Sequence, residues 1–216
     1  MYGTLIGLTV VLLAILGVLA SVTLIENRQA AQLAKIQPHA HSEENASRTA
    51  VVYFSRSGNT ALAARHIAHR LDAQLFRLDA PNYAPGLPGL AYALKDATLL
   101  KERQDALPEI TPAKIDLTPF DTLWLGSPIW LYSPAPPVWA FIENSDFSGK
   151  RVILFNTHNS HFSDEHIARF KAQVLVRGAL TFEHRTVLRG RMTQQITPEQ
   201  MLQFIDERWL GTPLAK

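Results

Sequence analysis

The sequence predicts an α/β domain built on a parallel sheet, preceded by one transmembrane helix. From Ala50 onwards, short apolar runs alternate with segments of helical periodicity, which is typical of parallel strands connected by helices. A separate run of 21 uncharged residues, 5–25, lies near the start. The length of 216 residues fits one globular domain with such an appendage.

The apolar run 5–25 is long enough to cross a bilayer as a helix. A cleaved signal peptide is the alternative, but no Lys or Arg precedes the run, and the run is longer than a usual signal core. Arg28 and Lys35 follow it. The positive-inside rule therefore predicts a single-pass protein of the inner or plasma membrane whose soluble domain lies in the cytoplasm.

The predicted organisation is an anchor (1–25), a linker (26–49) and one domain (50–216). The linker is polar and interrupted by Pro38. Its first part can extend the membrane helix, whereas the part after Pro38 is expected to be flexible, so that the domain floats just off the membrane surface. We expect His39 and His41 to be solvated there rather than to bind a metal.

Composition excludes several classes of protein. The chain has no cysteine, which removes disulfides, thiolate nucleophiles, zinc–thiolate sites and iron–sulfur ligation. The formal net charge is +2, from 21 basic and 19 acidic residues, without a basic cluster. Nucleic-acid binding is therefore not expected.

The alternation resolves into five strands and five helices. Strands are predicted at 51–54, 75–78, 122–126, 152–156 and 180–187. Helices are predicted at about 60–71, 89–104, 136–144, 164–177 and 197–209. Gly178 is predicted to end the fourth helix, and Thr197 followed by Pro198 is predicted to open the fifth. The stretch 79–90, rich in Pro and Gly, is predicted to be a surface loop.

A polar loop, SRSGNT (55–60), connects the first strand to the first helix. This geometry directs backbone N–H groups and the positive end of a helix dipole at one spot. Hydroxyl groups add donors, and Gly58 allows a tight turn. The loop therefore predicts a phosphate site; the alternative is an ordinary turn in which Ser and Asn only cap the helix.

The segments after the third and fourth strands are expected beside this loop, because ligands of parallel sheets lie beyond the carboxyl ends of the strands. Trp130 and Tyr132 follow the third strand in a proline-braced loop and suit a planar ring. Alternatively, Trp130 packs under its own loop. The fourth strand is followed by Thr157-His158-Asn159-Ser160-His161, which can hydrogen-bond the edge of a heterocycle.

Histidines do not predict a metal site in this chain. The spacing of His158, His161 and His166 fits no common ligand pattern, and no cysteine supports them. His66 and His69 are expected at the surface of the first helix of the domain.

Three segments resemble one family. YFSRSGNT resembles the phosphate loop of the flavodoxins, [ST]-x-[ST]-G-N-T. The run GSPIWLYSPAPPVWAFIENSDFSGKRVILFNTH resembles a flavodoxin-like subgroup with G-x-P-I-W, F-[IL]-E and S-G-K, and YALKDATLLKERQDALPEI resembles its second helix. The resemblance implies a flavodoxin-like, doubly wound sheet of five parallel strands, in the order 2-1-3-4-5, with FMN bound noncovalently.

The resemblance also implies roles for individual residues. The FMN phosphate would be held by Ser55, Arg56, Ser57, Gly58, Asn59 and Thr60. The isoalloxazine would be walled on one side by Pro128, Ile129 and Trp130, and on the other by Thr157, His158 and Asn159. Two features depart from the family: His-Asn-Ser-His replaces a small, glycine-rich segment, and the domain is not strongly acidic.

The function implied is that of a membrane-anchored FMN protein that moves electrons between a reductant and a membrane-associated acceptor, either a redox partner protein or a quinone. No catalytic acid, base or nucleophile is required, because the flavin supplies the chemistry. The alternatives are an NAD(P)H-dependent quinone or small-molecule reductase, and a scaffold that has lost FMN. A phospho-receiver protein shares this strand order but needs acidic residues at the end of the first strand. Ser55 and Arg56 stand there instead, so this class of protein is not expected.

Overall fold

The computed structural model describes residues 2–36, 47–84, 86–102, 107–159, 161–190 and 194–211. Their strands are β1 (Thr49–Phe54), β2 (Gln74–Leu78), β3 (Thr122–Trp130), β4 (Ser133–Pro134), β5 (Arg151–His158) and β6 (Thr181–Leu188). Five of them form a parallel sheet in the order β2-β1-β3-β5-β6. The predicted order 2-1-3-4-5 is confirmed, with the two-residue β4 added as an antiparallel partner of β3.

The helices are α1 (Tyr2–Lys35), α2 (Asn59–Leu71), α3 (Leu87–Glu102), α4 (Pro136–Glu143), α5 (Asp164–Val176) and α6 (Pro198–Ile205). A π-helical turn, Asp206–Leu210, extends α6. The prediction of a loop over 79–90 is wrong at its end, because α3 begins at Leu87. Pro88 falls in its first turn, where a helix tolerates proline.

Two apolar cores lie on opposite faces of the sheet. Alternation along β1 sends Val52 and Phe54 to the core shared with α3, α4 and α5. Val51 and Tyr53 point to the other core, shared with α2 and α6. This arrangement places helices on both faces and leaves the carboxyl ends of the strands open for a ligand.

Strand β3 continues further than the sequence predicted. Pro128, Ile129 and Trp130 belong to the strand rather than to a loop, because Pro128 pairs with Thr157 of β5 and Ile129 pairs with β4. The chain turns only after them, at Leu131 and Tyr132, which have φ values of 46° and 74°.

Helix α1 runs without a break past the apolar segment to Lys35. Its apolar part is long and uncharged enough to cross a membrane by length and composition. The end of the helix packs on the domain: Leu33 is only 3% exposed, and Arg65 Nη2 donates to Leu33 O at 2.8 Å and to Ile36 O at 3.3 Å. The start of the predicted linker is therefore helical and docked, while His39 and His41 lie outside the described residues.

His66 corrects one expectation, since it is buried rather than at the surface. Its Nε2 lies 3.0 Å from Asp206 Oδ1, and Arg70 Nη1 lies 2.8 Å from the same oxygen. Burial lowers the pKa of His66, and the contact with Asp206 opposes that effect. Helical periodicity alone could not reveal that α6 and its π turn would cover this face of α2.

Candidate functional site

A cavity of ≈ 250 Å³ opens at the carboxyl ends of the strands. It brings together nine of the twelve residues predicted to bind a cofactor, namely Arg56, Ser57, Asn59, Pro128, Ile129, Trp130, Thr157, His158 and Asn159. The other three predicted residues do not line the cavity but make hydrogen bonds that shape the SRSGNT loop and its junction with α2, namely Ser55, Gly58 and Thr60. Most of this cavity therefore follows from the rule that ligands bind beyond the carboxyl ends of parallel strands.

The SRSGNT loop is shaped by its own hydrogen bonds. Gly58 N donates to Ser55 Oγ at 3.2 Å, and Gly58 has a φ of +90°, which favours glycine. The first helical bond of α2 runs from Leu62 N to Gly58 O at 2.9 Å. Backbone N–H groups before Leu62 therefore have no acceptor within the helix, which is the arrangement that binds anions.

Side-chain capping does not account for this loop. Gly58 occupies the N-cap position of α2, and no side chain makes a capping hydrogen bond there. Thr60 is instead committed to a buried contact in which its Oγ1 lies 2.8 Å from Thr157 Oγ1. That contact joins the start of α2 to the end of β5, so the predicted phosphate and ring segments are held together.

Trp130 both packs on the core and lines the cavity. Its ring meets Phe54 and Tyr83 edge-on, at centroid distances of 5.5 Å and 5.6 Å. The cavity is completed by Leu90, Ala93 and Leu94 of α3. Sequence reasoning missed this apolar wall, although its i, i+3, i+4 spacing marks one face of a helix.

A hydrogen-bonded chain supports the end of β5. Asn156 Nδ2 donates to Ser127 O in β3 at 2.8 Å, and Asn156 Oδ1 lies 2.8 Å from His184 Nε2 in β6. The pKa of His184 is lowered to about 4; burial is the larger cause, and the nearby His158 is the second. His184 is therefore neutral at pH 7, and its Nε2 serves as the donor to Asn156.

Helix α1 contributes polar groups that sequence reasoning did not place at the site. Glu26 lines the cavity and forms an ion pair with Arg56, whose Nη2 also donates to Gly86 O at 3.3 Å. Gln29 Nε2 donates to Asn59 Oδ1 at 3.0 Å. These contacts join residues about 30 positions apart, and no periodic pattern in the sequence signals them.

Arg189, directly after β6, is a further residue that sequence reasoning missed. Its Nε donates to Asn59 Oδ1 at 3.1 Å. The strand-end rule could have identified it, because it follows a fifth parallel strand just as Ser55 and Thr157 mark the ends of β1 and β5.

The family described as flavodoxin matches the chain over residues 48–199. The chain belongs to the flavodoxin family. A search among curated proteins gave no match.

Solved structures agree with the flavodoxin fold. A flavoprotein from Bacteroides uniformis is 25% identical, with a TM-score of 0.55 over 74% of this chain and 98% of its own. A flavoprotein from Bacteroides eggerthii is 20% identical, with a TM-score of 0.55 over 74% and 97%. A flavoprotein from Lactobacillus acidophilus, solved in complex with FMN, is 22% identical, with a TM-score of 0.51 over 64% and 92%.

The donor set of this flavodoxin domain fits a phosphorylated flavin. The first turn of α2 offers backbone N–H groups, Asn59 and Ser57 line the cavity beside them, and Trp130 with the α3 wall is apolar. Polar groups at one end and apolar groups at the other match a ligand with an anionic tail and a planar ring.

Proposed function

We propose that this protein binds FMN noncovalently and carries electrons between a reductant and an acceptor at a membrane. The observation that carries the proposal is the convergence of three strand-end segments on one cavity beside the N-terminus of α2. Membership of the flavodoxin family supports it, and so does the FMN complex of the Lactobacillus acidophilus flavoprotein.

Each part of the cavity has a distinct task under this proposal. Ser57, Asn59 and the first-turn N–H groups of α2 would hold the phosphate. Trp130 and the α3 side chains would contact the ring and exclude water from it. Bound FMN supplies the one- and two-electron redox chemistry, so the protein needs no acid, base or nucleophile of its own.

The membrane assignment rests on α1. An acceptor within or at the bilayer is favoured because the same continuous helix that is apolar enough to span a membrane also lines the cavity through Glu26. A membrane quinone and a membrane-bound redox protein both satisfy this placement.

The test is the visible absorption spectrum of the full chain, purified in detergent after supplementation with FMN. We expect a stoichiometric flavin band that is released on denaturation. Gly58→Val should abolish this band by distorting the loop proposed to hold the phosphate. A Cβ at Gly58 would lie 3.2 Å from Ala30 Cα and 3.3 Å from Leu33, and the backbone there is in a left-handed conformation that favours glycine.

Gly149→Val is the matched control. Gly149 also has a positive φ, of +76°, but a Cβ there meets nothing within 4 Å, so the variant should keep its flavin. A colourless wild-type protein that fails to take up FMN would overturn the proposal. Reduction of the bound flavin by NAD(P)H, with turnover of a quinone, would identify the reductase alternative.

A further inference from the structure

Arg189 lies at the N-terminus of α2, although it comes from the opposite end of the domain sequence. Its backbone N donates to His158 O at 2.8 Å, and its Nε donates to Asn59 Oδ1 at 3.1 Å. The residue is only 4% exposed. Its guanidinium is thus held beside the loop predicted to bind phosphate.

This guanidinium has no anionic partner among the described residues. No carboxylate there forms an ion pair with Arg189, and Nη1 is buried without a hydrogen-bond partner. Burial lowers the pKa of Arg189, and the more distant Glu199 opposes that effect. A buried, unpaired cation is costly, which indicates that an anion belongs beside it.

Arg56 differs from Arg189 in this respect. Arg56 lines the cavity itself, whereas Arg189 lies behind the cavity-lining Asn59. The Arg56 guanidinium is already paired with Glu26 and donates to Gly86 O. Of the two arginines, Arg189 is therefore the one whose charge is left to be balanced by a ligand.

Asn59 links Arg189 to that ligand. Its Oδ1 accepts hydrogen bonds from both Gln29 and Arg189, which fixes the orientation of the amide. The amide Nδ2 is given no partner by the residues that the structure describes, and Asn59 lines the cavity. The amide is thus oriented as a donor for an anion.

We propose that Arg189 is the residue that makes this site selective for a phosphorylated flavin, by supplying positive charge to the phosphate and by orienting the Asn59 amide. The proposal rests on the proposed function and assigns a recognition role to a residue outside the SRSGNT loop. Its consequence is a strong preference for FMN over riboflavin, which has the same ring but no phosphate.

The test compares the affinities for FMN and riboflavin, measured by flavin fluorescence titration on the full chain in detergent. We expect Arg189→Met to reduce the FMN-to-riboflavin preference at least tenfold while riboflavin affinity stays within about twofold. Arg189→Lys should retain part of the preference, because the charge remains but the fork of donors is lost.

Arg151→Met is the matched control, since Arg151 is an exposed arginine at the start of β5, and it should leave the preference unchanged. Equal losses for both flavins in Arg189→Met would indicate a purely structural role and overturn the inference. An unchanged preference in both Arg189 variants would also overturn it while leaving FMN binding intact. A wild-type chain that binds neither flavin would overturn the proposed function and this inference together.

Discussion

His184 connects three strands near the site. Through Asn156 it joins β6 to β5, and through Ser127 it joins β5 to β3. Its ring also meets Phe162 edge-on, at 5.2 Å between centroids. A proton added to this ring would place a charge in a largely apolar setting, which is why burial lowers its pKa to about 4.

Stability should therefore fall as the pH is lowered from about 6.5 to about 4. In that window the unfolded chain takes up a proton at His184 that the folded chain does not, so protonation favours unfolding. His184→Gln should flatten the dependence, because glutamine can still donate to Asn156 without titrating. The measurement is the thermal midpoint at pH 7 and pH 4.5.

His69→Gln is the control for this effect, since His69 is exposed on α2. A slope as steep in His184→Gln as in the wild type would contradict the prediction. Some slope should remain in the variant, because burial also lowers the pKa of His66.

At the scale of residues, local chemistry was predictable and long-range partners were not. The residues at the strand ends followed from their position at or just after the ends of buried strands: Ser57 follows β1, and Thr157 lies at the carboxyl end of β5. Arg189, Glu26 and Asp206 act through partners far away in the chain, and one-dimensional spacing carries no signal for such pairs.

Among the elements, α2 is held on one side by α6 and the π turn that extends it. Asp206 is fully buried and contacts both His66 and Arg70 of α2. Removing one partner of a buried ion pair leaves the other charge uncompensated.

Asp206→Leu should therefore destabilise the fold by about 3 kcal/mol, near the low end for such pairs because Arg70 is partly exposed and can reach water. The free energy of unfolding in urea measures this. Glu207→Leu, one residue along and exposed, should change it by less than about 0.5 kcal/mol. Equal effects of the two changes would contradict the role assigned to Asp206.

The end of α1 is the element that the sequence indicated least. Its continuation before Pro38 was an open possibility, but its contact with Gly58 and Asn59 required the tertiary structure. The five strands and the domain helices were predicted to within a few residues, because each strand is a short apolar run and each helix has apolar residues at helical spacing.

Leu33→Asp should release this end of α1 from the domain, since it places a charge at a position that is 3% exposed. We expect hydrogen exchange of backbone amides in residues 26–36 to rise at least tenfold, while exchange in β3 and β5 stays unchanged. Gln32→Asp introduces the same charge at an exposed neighbour and should leave exchange near the wild-type rate. Undiminished protection in Leu33→Asp would argue against docking.

For the molecule as a whole, the proposed function links cofactor binding to folding stability. FMN at 100 times its Kd should add about 2.7 kcal/mol to the stability of the folded state. For a domain of this size, that corresponds to a rise in Tm of about 5–10 °C. Thermal denaturation with FMN, riboflavin or AMP tests this, and an equal rise with AMP would point to the phosphate alone.

The unbroken helix α1 has a mechanical consequence. Its 34 residues form a rod about 50 Å long, and its far end is pinned to α2 by Leu33 and Arg65. In a bilayer, such a rod would limit rotation of the domain relative to the membrane and keep the opening of the cavity at a constant distance from the bilayer surface. Encounters with a partner would then depend on lateral diffusion and on the number of partners per unit area of membrane, rather than on tumbling and bulk concentration.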